Sequence, residues 1–81
     1  MKATVIVRLK EGVLDPQGQA ICRSLNKMGH GQISNVRQGK YFEIEIGDFT
    51  NEQEALQLVE QIARDVLSNA IIESFEIEEI S

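Results

Sequence analysis

Length, composition and charge exclude several classes of protein before any motif is considered. The chain has 81 residues and a formal net charge of −5, with 13 Asp and Glu against 8 Lys and Arg. This balance disfavours nucleic-acid binding, because neutralising phosphates needs a stripe of Lys and Arg. A domain this small buries only about 60% of the surface of its unfolded chain. We therefore expect one domain over residues 1–81 that gains stability from association with another chain.

The N-terminal residues and the cysteine content predict a cytoplasmic protein. Met1 leads straight into a strand pattern without the apolar core of a signal peptide, and no apolar run has the length of a membrane span. Cys22 has no second cysteine with which to form an intrachain disulfide. We expect neither a membrane partner nor a disulfide framework.

The first third of the sequence predicts a strand followed by a helix. Apolar and polar residues alternate from Lys2 to Lys10, which is the pattern of a half-buried strand. Asp15 is placed to cap the next helix and Pro16 to occupy its first position, where a missing N–H costs nothing. The helix is expected to end near Met28, before Gly29. Its predicted inward stripe consists of Ile21, Leu25 and Met28.

The middle of the sequence predicts a hairpin. Two strand-like runs, Ile33–Arg37 and Tyr41–Ile46, flank a Gln38-Gly39 pair, and a glycine there can supply the positive φ of a tight turn. In the second run, apolar residues alternate with glutamates, which predicts one buried face.

The last third predicts a second helix and a final strand. Thr50 and Gln53 have the spacing of a capping box, and the helix is expected to end by Ser68. Its inward stripe is predicted to contain Ala55, Val59, Ile62, Ala63 and Val66. The closing strand is expected over residues 71–79, with Ile71, Phe75 and Ile77 on one face.

The resulting βαββαβ order predicts an α+β fold of the ferredoxin-like type. Its common form is a four-stranded antiparallel sheet with both helices on one face and the first strand in a central position. Arg8 and Lys10 would then lie among glutamates of the neighbouring strands and pair with them. The open face would still expose Ile6 and Tyr41, a composition suited to docking another protein. A solvated face without a partner is the alternative.

The best polar candidates for such contact flank the predicted turn. Arg37 and Lys40, on either side of Gly39, could offer charge-assisted donors to a partner's carboxylate or phosphate. Ordinary solubilising charges are the other interpretation of the same residues. The candidate subunit-contact set is Arg37, Gly39, Lys40, Tyr41 and Ile6.

No catalytic or cofactor-binding residue is predicted in this chain. His30 lacks a companion carboxylate or thiol in the sequence, and Cys22 lies beside the apolar stripe of the first helix, so we interpret both as structural. Glutamates alternating along exposed strands have similar environments, whereas acid–base pairs need unequal ones. No phosphate-binding glycine motif and no metal-ligand cluster is present in the sequence.

Four segments resemble one protein family over nearly the whole chain. They are Val7–Lys10 (VRLK), Glu11–Gly18 (EGVLDPQG), Val36–Ile44 (VRQGKYFEI) and Ile72–Ile77 (IESFEI). Together they resemble the PurS family, the small subunits of bacterial and archaeal phosphoribosylformylglycinamidine (FGAM) synthase.

The resemblance implies a non-catalytic subunit of a glutamine-dependent ligase in de novo purine synthesis. In such assemblies a PurQ glutaminase subunit releases ammonia, and a large PurL synthetase subunit uses ATP and Mg to activate its substrate. PurS is expected to form a homodimer or higher oligomer that bridges them. No cofactor is then expected in this chain itself.

Two further hypotheses come from other classes of protein. A free-standing regulatory domain of the ACT type shares the βαββαβ order and binds an amino acid near a loop such as Asp15–Gly18, although ACT domains are usually attached to the enzyme they control. An independent small enzyme ranks last, because no nucleophile, base and orienting group can be identified together.

Overall fold

The computed structural model describes residues 1–47 and 51–80. Its elements are β1 (Lys2–Leu9), α1 (Pro16–Lys27), β2 (Lys40–Glu45), α2 (Glu52–Ile62), a π-helical turn that continues α2 (Ala63–Leu67), and β3 (Glu73–Ile80). The α+β class is confirmed. Within the described ranges no helix is long and apolar enough to cross a membrane.

The sheet has three antiparallel strands in the order β2-β1-β3, with β1 in the centre as predicted. Val5 of β1 lies opposite Phe42 on one side and Ile77 on the other, so apolar side chains of all three strands share the inner face. A bulge in β3 lies between the partners of Thr4 and Val5. The extra residue there returns Ile80 to the inner face, where it packs against the core.

The predicted strand over Ile33–Arg37 and the hairpin at Gln38-Gly39 are wrong. Residues 33–39 are not part of the sheet, which therefore has three strands and not four. Hydrogen bonds to the loop between β1 and α1 take the place of strand pairing in this segment. The Gln38 N–H donates to the Asp15 carboxylate, and the Arg37 guanidinium donates to backbone carbonyls of that loop.

The core lies between the inner face of the sheet and α2. Its buried residues are Ala3, Val5, Val7, Ile46, Ala55, Val59 and Ala63. The predicted stripe of α2 is thus confirmed at every fourth position from 55 to 63. Val66 was expected in that stripe but is 75% exposed. The π-helical turn explains this, because its wider winding rotates later side chains away from the line of the α-helix.

Both helices begin with side-chain caps. Asp15 caps α1 by accepting from the Gly18 N–H at 2.9 Å, as predicted, and Gly29 at φ +98° follows the end of the helix. Asn51 caps α2 by accepting from the Glu54 N–H at 2.9 Å. The predicted cap at Thr50 lies outside the described residues.

Helix α1 is not packed on the sheet, contrary to the expectation that both helices cover one face. Ile21 and Met28 of its predicted inward stripe are 41% and 71% exposed, and the core cluster of the described residues includes none of its side chains. We call α1 together with residues 28–39 the arm, and the rest the body. The arm makes the molecule elongated, 53 × 24 × 14 Å, with a radius of gyration of 16.3 Å. A compact chain of this length has about 12 Å.

The start of β3 also differs from the prediction. Ile71, expected on the buried face, is 84% exposed and precedes the strand, which begins at Glu73. A turn in which the Asn69 carbonyl accepts from the Ile72 and Glu73 N–H groups occupies this position instead.

Matched valine substitutions test where the core lies. Val59→Ala removes two buried methyl groups and leaves a cavity, so we expect the free energy of unfolding to fall by about 2 kcal/mol. Val66→Ala removes the same groups from an exposed site and should change it by less than about 0.5 kcal/mol. Urea unfolding followed by circular dichroism measures both. Equal losses would contradict the assignment of the core.

Candidate functional site

The candidate contact residues converge on one open groove of about 600 Å³. All five line it: Ile6, Arg37, Gly39, Lys40 and Tyr41. The strands supply its floor and residues 35–39 supply a wall. Since Ile6 alternates with the buried Val5 and Val7, the groove opens on the face of the sheet opposite α2.

The floor of the groove is apolar in its centre and charged at its edge. Tyr41 is 58% exposed and lies opposite the half-buried Ile6 in the pairing of β1 with β2. At the edge, Arg8 donates to Glu76 of β3 at 2.8 Å. This pair confirms the predicted bonding of basic residues of β1 to glutamates of a neighbouring strand.

The wall is fixed by the Asp15 carboxylate, which is 5% exposed. One oxygen accepts from the Gly18 N–H at 2.9 Å and the other from the Gln38 N–H at 2.7 Å. These two hydrogen bonds hold the pKa of Asp15 below its usual range, and the bond from Gln38 has the larger effect. One side chain thus joins the start of α1 to the segment that leads into β2.

Arg37 has a different position from the one predicted. Its guanidinium donates to the Val13 carbonyl at 3.0 Å and to the Lys10 carbonyl at 3.2 Å, with a longer contact of 3.5 Å to the Leu9 carbonyl. These bonds hold the loop that follows β1 against the wall. Arg37 therefore shapes the groove, whereas the sequence suggested a free cation at a turn.

Lys40 is the first residue of β2 and not part of a turn. Its Nζ lies 3.7 Å from the carboxylate of Glu73, whose side chain is 12% exposed. The other carboxylate oxygen of Glu73 accepts from the Asn69 N–H at 2.7 Å. Because Lys40 lies opposite the buried Val7, this long ion pair is on the inner side of the sheet, where the Lys40 side chain is 57% exposed.

Two glycines allow the wall to pack closely, Gly39 against β1 and Gly18 against residue 36. A Cβ at Gly39 would lie 2.7 Å from the Val7 carbonyl oxygen, closer than van der Waals contact. A Cβ at Gly18 would overlap the Val36 carbonyl oxygen. The sequence marked Gly39 for a positive φ, but the structure requires it for this close approach.

The outer face of the sheet carries further ion pairs. Lys2 lies 2.8 Å from Glu43, and their hydrogen bond raises the pKa of Lys2 and lowers that of Glu43. Both side chains are about half exposed, so solvent weakens the pair. Lys10, also predicted to meet glutamates, instead donates to the Ala70 carbonyl at 2.7 Å, because β1 ends at Leu9.

Cys22 and His30 lie in the arm, away from the groove. The Cys22 thiol is 3.6 Å from the Ile33 carbonyl oxygen, and the His30 N–H donates to the Leu25 carbonyl at 3.0 Å. Among residues 1–47 and 51–80, no group of three His, Cys, Asp or Glu side chains could hold a metal ion. The interpretation of Cys22 and His30 as structural residues stays a prediction.

Sequence reasoning missed several residues that line the groove, including Leu9, Glu11, Gly12 and Asn35. Leu9 ends β1, Glu11 and Gly12 follow it in the loop, and Asn35 comes from a segment that is distant in the sequence and that no local pattern joins to this loop. The one available signal was the Asp-Pro-x-Gly motif. It was interpreted as a helix start, and it does not predict the second hydrogen bond of Asp15, which comes from the Gln38 N–H.

Comparisons with known proteins identify the family. The family model PurS, phosphoribosylformylglycinamidine (FGAM) synthase, matches residues 2–80. The chain belongs to the PurS family. The FGAM synthase subunit PurS of Mycobacterium leprae is 46% identical over 76 residues, which is 94% of this chain and 91% of that protein.

Solved structures agree with this family in fold. The crystal structure of Methanocaldococcus jannaschii PurS, a subunit of formylglycinamide ribonucleotide amidotransferase, has a TM-score of 0.82 at 38% identity and covers 99% of this chain and 98% of that one. A chain in a PurLQS structure from Thermotoga maritima has a TM-score of 0.82 at 24% identity over 99% of each chain, which shows the shared fold.

A PurS-family chain is a subunit of FGAM synthase, the ATP-using, glutamine-dependent ligase complex of purine biosynthesis. The family match therefore favours the ligase-subunit hypothesis over the ACT-type regulator and the independent enzyme.

Acid should loosen the link between arm and body. Because the pKa of Asp15 is lowered by folding, its carboxylate stabilises the fold fully above the unfolded pKa of about 3.9, and this contribution is lost as pH falls through the lower folded value. We expect Asp15→Asn to be less stable than the parent at pH 7 and to show a smaller loss of stability on acidification. Urea unfolding from about pH 7 to about pH 2.5 tests this. Parallel pH profiles would contradict it.

Glycine substitutions test the close approach of the wall. Gly39→Ala should destabilise the chain by about 1–3 kcal/mol, because the new methyl group meets a backbone carbonyl. Gly47→Ala is the control, since a Cβ there meets nothing within 4 Å. Thermal unfolding of the two variants should separate them, and equal midpoints would count against the close packing of the wall on β1.

Proposed function

We propose that this chain is the non-catalytic subunit that bridges a PurQ-like glutaminase and a PurL-like synthetase in FGAM synthase, with the groove as one of its contact surfaces. The observation that carries the site is the convergence of Ile6, Gly39, Lys40 and Tyr41 on a groove whose wall Arg37 fixes. The PurLQS assembly of Thermotoga maritima, which contains a chain of this fold, supports the choice of partners.

The chemistry of the groove suits a protein partner. Tyrosine and arginine are enriched in interface cores, and Tyr41 presents a largely exposed ring beside an aliphatic neighbour. The basic residues that line it are already engaged: Arg8 with Glu76, Lys40 with Glu73, and Arg37 with backbone carbonyls. A partner that covers this apolar centre would therefore leave few charges without partners.

The wall has the rigidity that a contact surface needs. Three hydrogen bonds of 3.2 Å or less join residues 37 and 38 to the loop after β1, two from the Arg37 guanidinium to backbone carbonyls and one from the Gln38 N–H to the Asp15 carboxylate. A surface that is ordered before binding loses less conformational entropy when it binds. The groove is in this sense preorganised.

A bridging subunit has a clear catalytic use without reacting itself. Ammonia released at the glutaminase must reach the synthetase before it escapes or is protonated, and a fixed arrangement of subunits shortens that transfer. On this proposal ATP and Mg bind to the synthetase partner and this chain binds no cofactor. The assembly would work in the cytoplasm.

Reconstitution with and without groove variants tests the proposal. Tyr41→Ala should weaken binding to the PurL and PurQ subunits at least about tenfold, because buried tyrosines are frequent hot spots. Glutamine-dependent FGAM formation should fall with it at limiting subunit concentration, while ammonia-dependent formation by PurL stays unchanged. Lys40→Ala should have a smaller effect in the same direction.

The control is Val66→Ala, which shortens an exposed apolar side chain outside the groove. If Tyr41→Ala assembles and turns over like this control, the groove is not a contact surface. If glutamine-dependent formation proceeds equally well without the chain, the bridging function itself is refuted.

A further inference from the structure

The outer face of the sheet continues the floor of the groove toward the start of β1. Side chains at even positions of β1 lie on this face, between residues of β2 and residues of β3. Ile6 and Tyr41 pair in the row at the groove. Two residues earlier along β1, Thr4 lies between Glu43 and Glu79. The groove and the row through Thr4 are therefore parts of one continuous surface.

Beyond the groove this surface is acidic. Glu45 lies opposite Lys2, but Lys2 bonds to Glu43 instead. Glu78 and Glu79 follow one another at the bulge of β3. Glu45, Glu78 and Glu79 are all exposed, and none of them takes part in an ion pair among the residues that the structure describes. Their charge is thus available to a partner.

The basic residues of the outer face do not offset this charge. Lys2 pairs with Glu43 and Arg8 with Glu76, each at 2.8 Å, so each neutralises one glutamate and leaves the others as they are. A neutral or acidic partner surface would desolvate or repel the remaining carboxylates, which lowers its affinity. Lysines or arginines at matching positions would instead form charge-assisted hydrogen bonds with them. The face therefore favours a basic partner.

We propose that the outer face of the sheet binds a basic segment of a partner subunit. An apolar side chain of this segment occupies the groove over Tyr41, and its lysines or arginines lie over Glu45 and Glu79. The inference rests on the proposed function, because it names the chemistry of the surface that meets the groove. Charge complementarity and continuity with the groove carry it.

The geometry of β2 sets the spacing expected in the partner. Glu43 lies two residues and Glu45 four residues beyond Tyr41, which is about 7 Å and about 14 Å in an antiparallel strand. Glu79 lies in the first of these two rows, on the other side of Thr4. The partner segment is therefore expected to carry its basic side chains about 7 Å and about 14 Å from its apolar one.

Charge reversal on the outer face tests the proposal with separately immobilised PurL and PurQ subunits. Glu45→Lys with Glu79→Lys should weaken binding to the subunit that covers this face at least about tenfold in about 50 mM salt. The parent should lose affinity as salt rises to about 300 mM, because ions screen the attraction. Glu45→Gln with Glu79→Gln should lose affinity less steeply over the same range.

The matched control is Glu60→Lys with Asp65→Lys. These exposed residues lie in α2 and in the turn that continues it, and the double change alters net charge by the same amount. The control should bind like the parent. An outer-face reversal that binds like this control, or an equal loss of affinity in both, would overturn the inference. Circular dichroism verifies that the variants fold.

Tyr41→Ala separates this inference from the proposed function. A loss of affinity in Tyr41→Ala and in the outer-face reversal supports both. A loss in Tyr41→Ala alone overturns the basic partner segment and leaves the groove as a contact surface. A parent chain that binds neither subunit refutes the proposed function, and the inference with it.

Discussion

The carboxylate of Asp15 connects the two parts of this molecule. It caps α1 through the Gly18 N–H and accepts from Gln38 with its other oxygen, so the start and the end of the arm meet at one buried side chain. A charged acceptor bonded to backbone N–H groups is among the stronger hydrogen bonds in proteins. Every other feature of the groove wall depends on this junction. Gly18 and Gly39 permit the close approach, and Arg37 extends the junction to the loop after β1.

Charge on the outer face of the sheet is partly neutralised within the chain. Strand β1 brings basic side chains between two glutamate-bearing strands, and the pairs Lys2–Glu43 and Arg8–Glu76 both measure 2.8 Å. Exposed pairs of this kind contribute little to stability. They surround an apolar centre formed by Tyr41 and Ile6, which on our proposal a partner subunit covers.

A small core in the body accompanies the extended arm. The core of the described residues is built from seven buried apolar side chains, and all of them except Ile46 are alanine or valine. Such a core is small for independent stability. Further apolar side chains remain incompletely buried on α1 and on the β2 side of the sheet, among them Ile21, Phe42 and Ile44.

The sequence by itself determined the elements whose signals are local. The alternation in β1, the cap at Asp15 with Pro16, and the four-residue spacing from Ala55 to Ala63 each depend on neighbours in the chain, and the structure has all three. The family motifs likewise identified the ligase subunit. Tertiary structure decided what happens to residues 33–39 and α1. Their alternation and apolar stripe are typical of a strand and a packed helix, but hydrogen bonds from Gln38 to Asp15 and from Arg37 to Val13 join residues more than 20 positions apart. No local pattern encodes such bonds, so only the folded chain shows that the predicted hairpin is a groove wall.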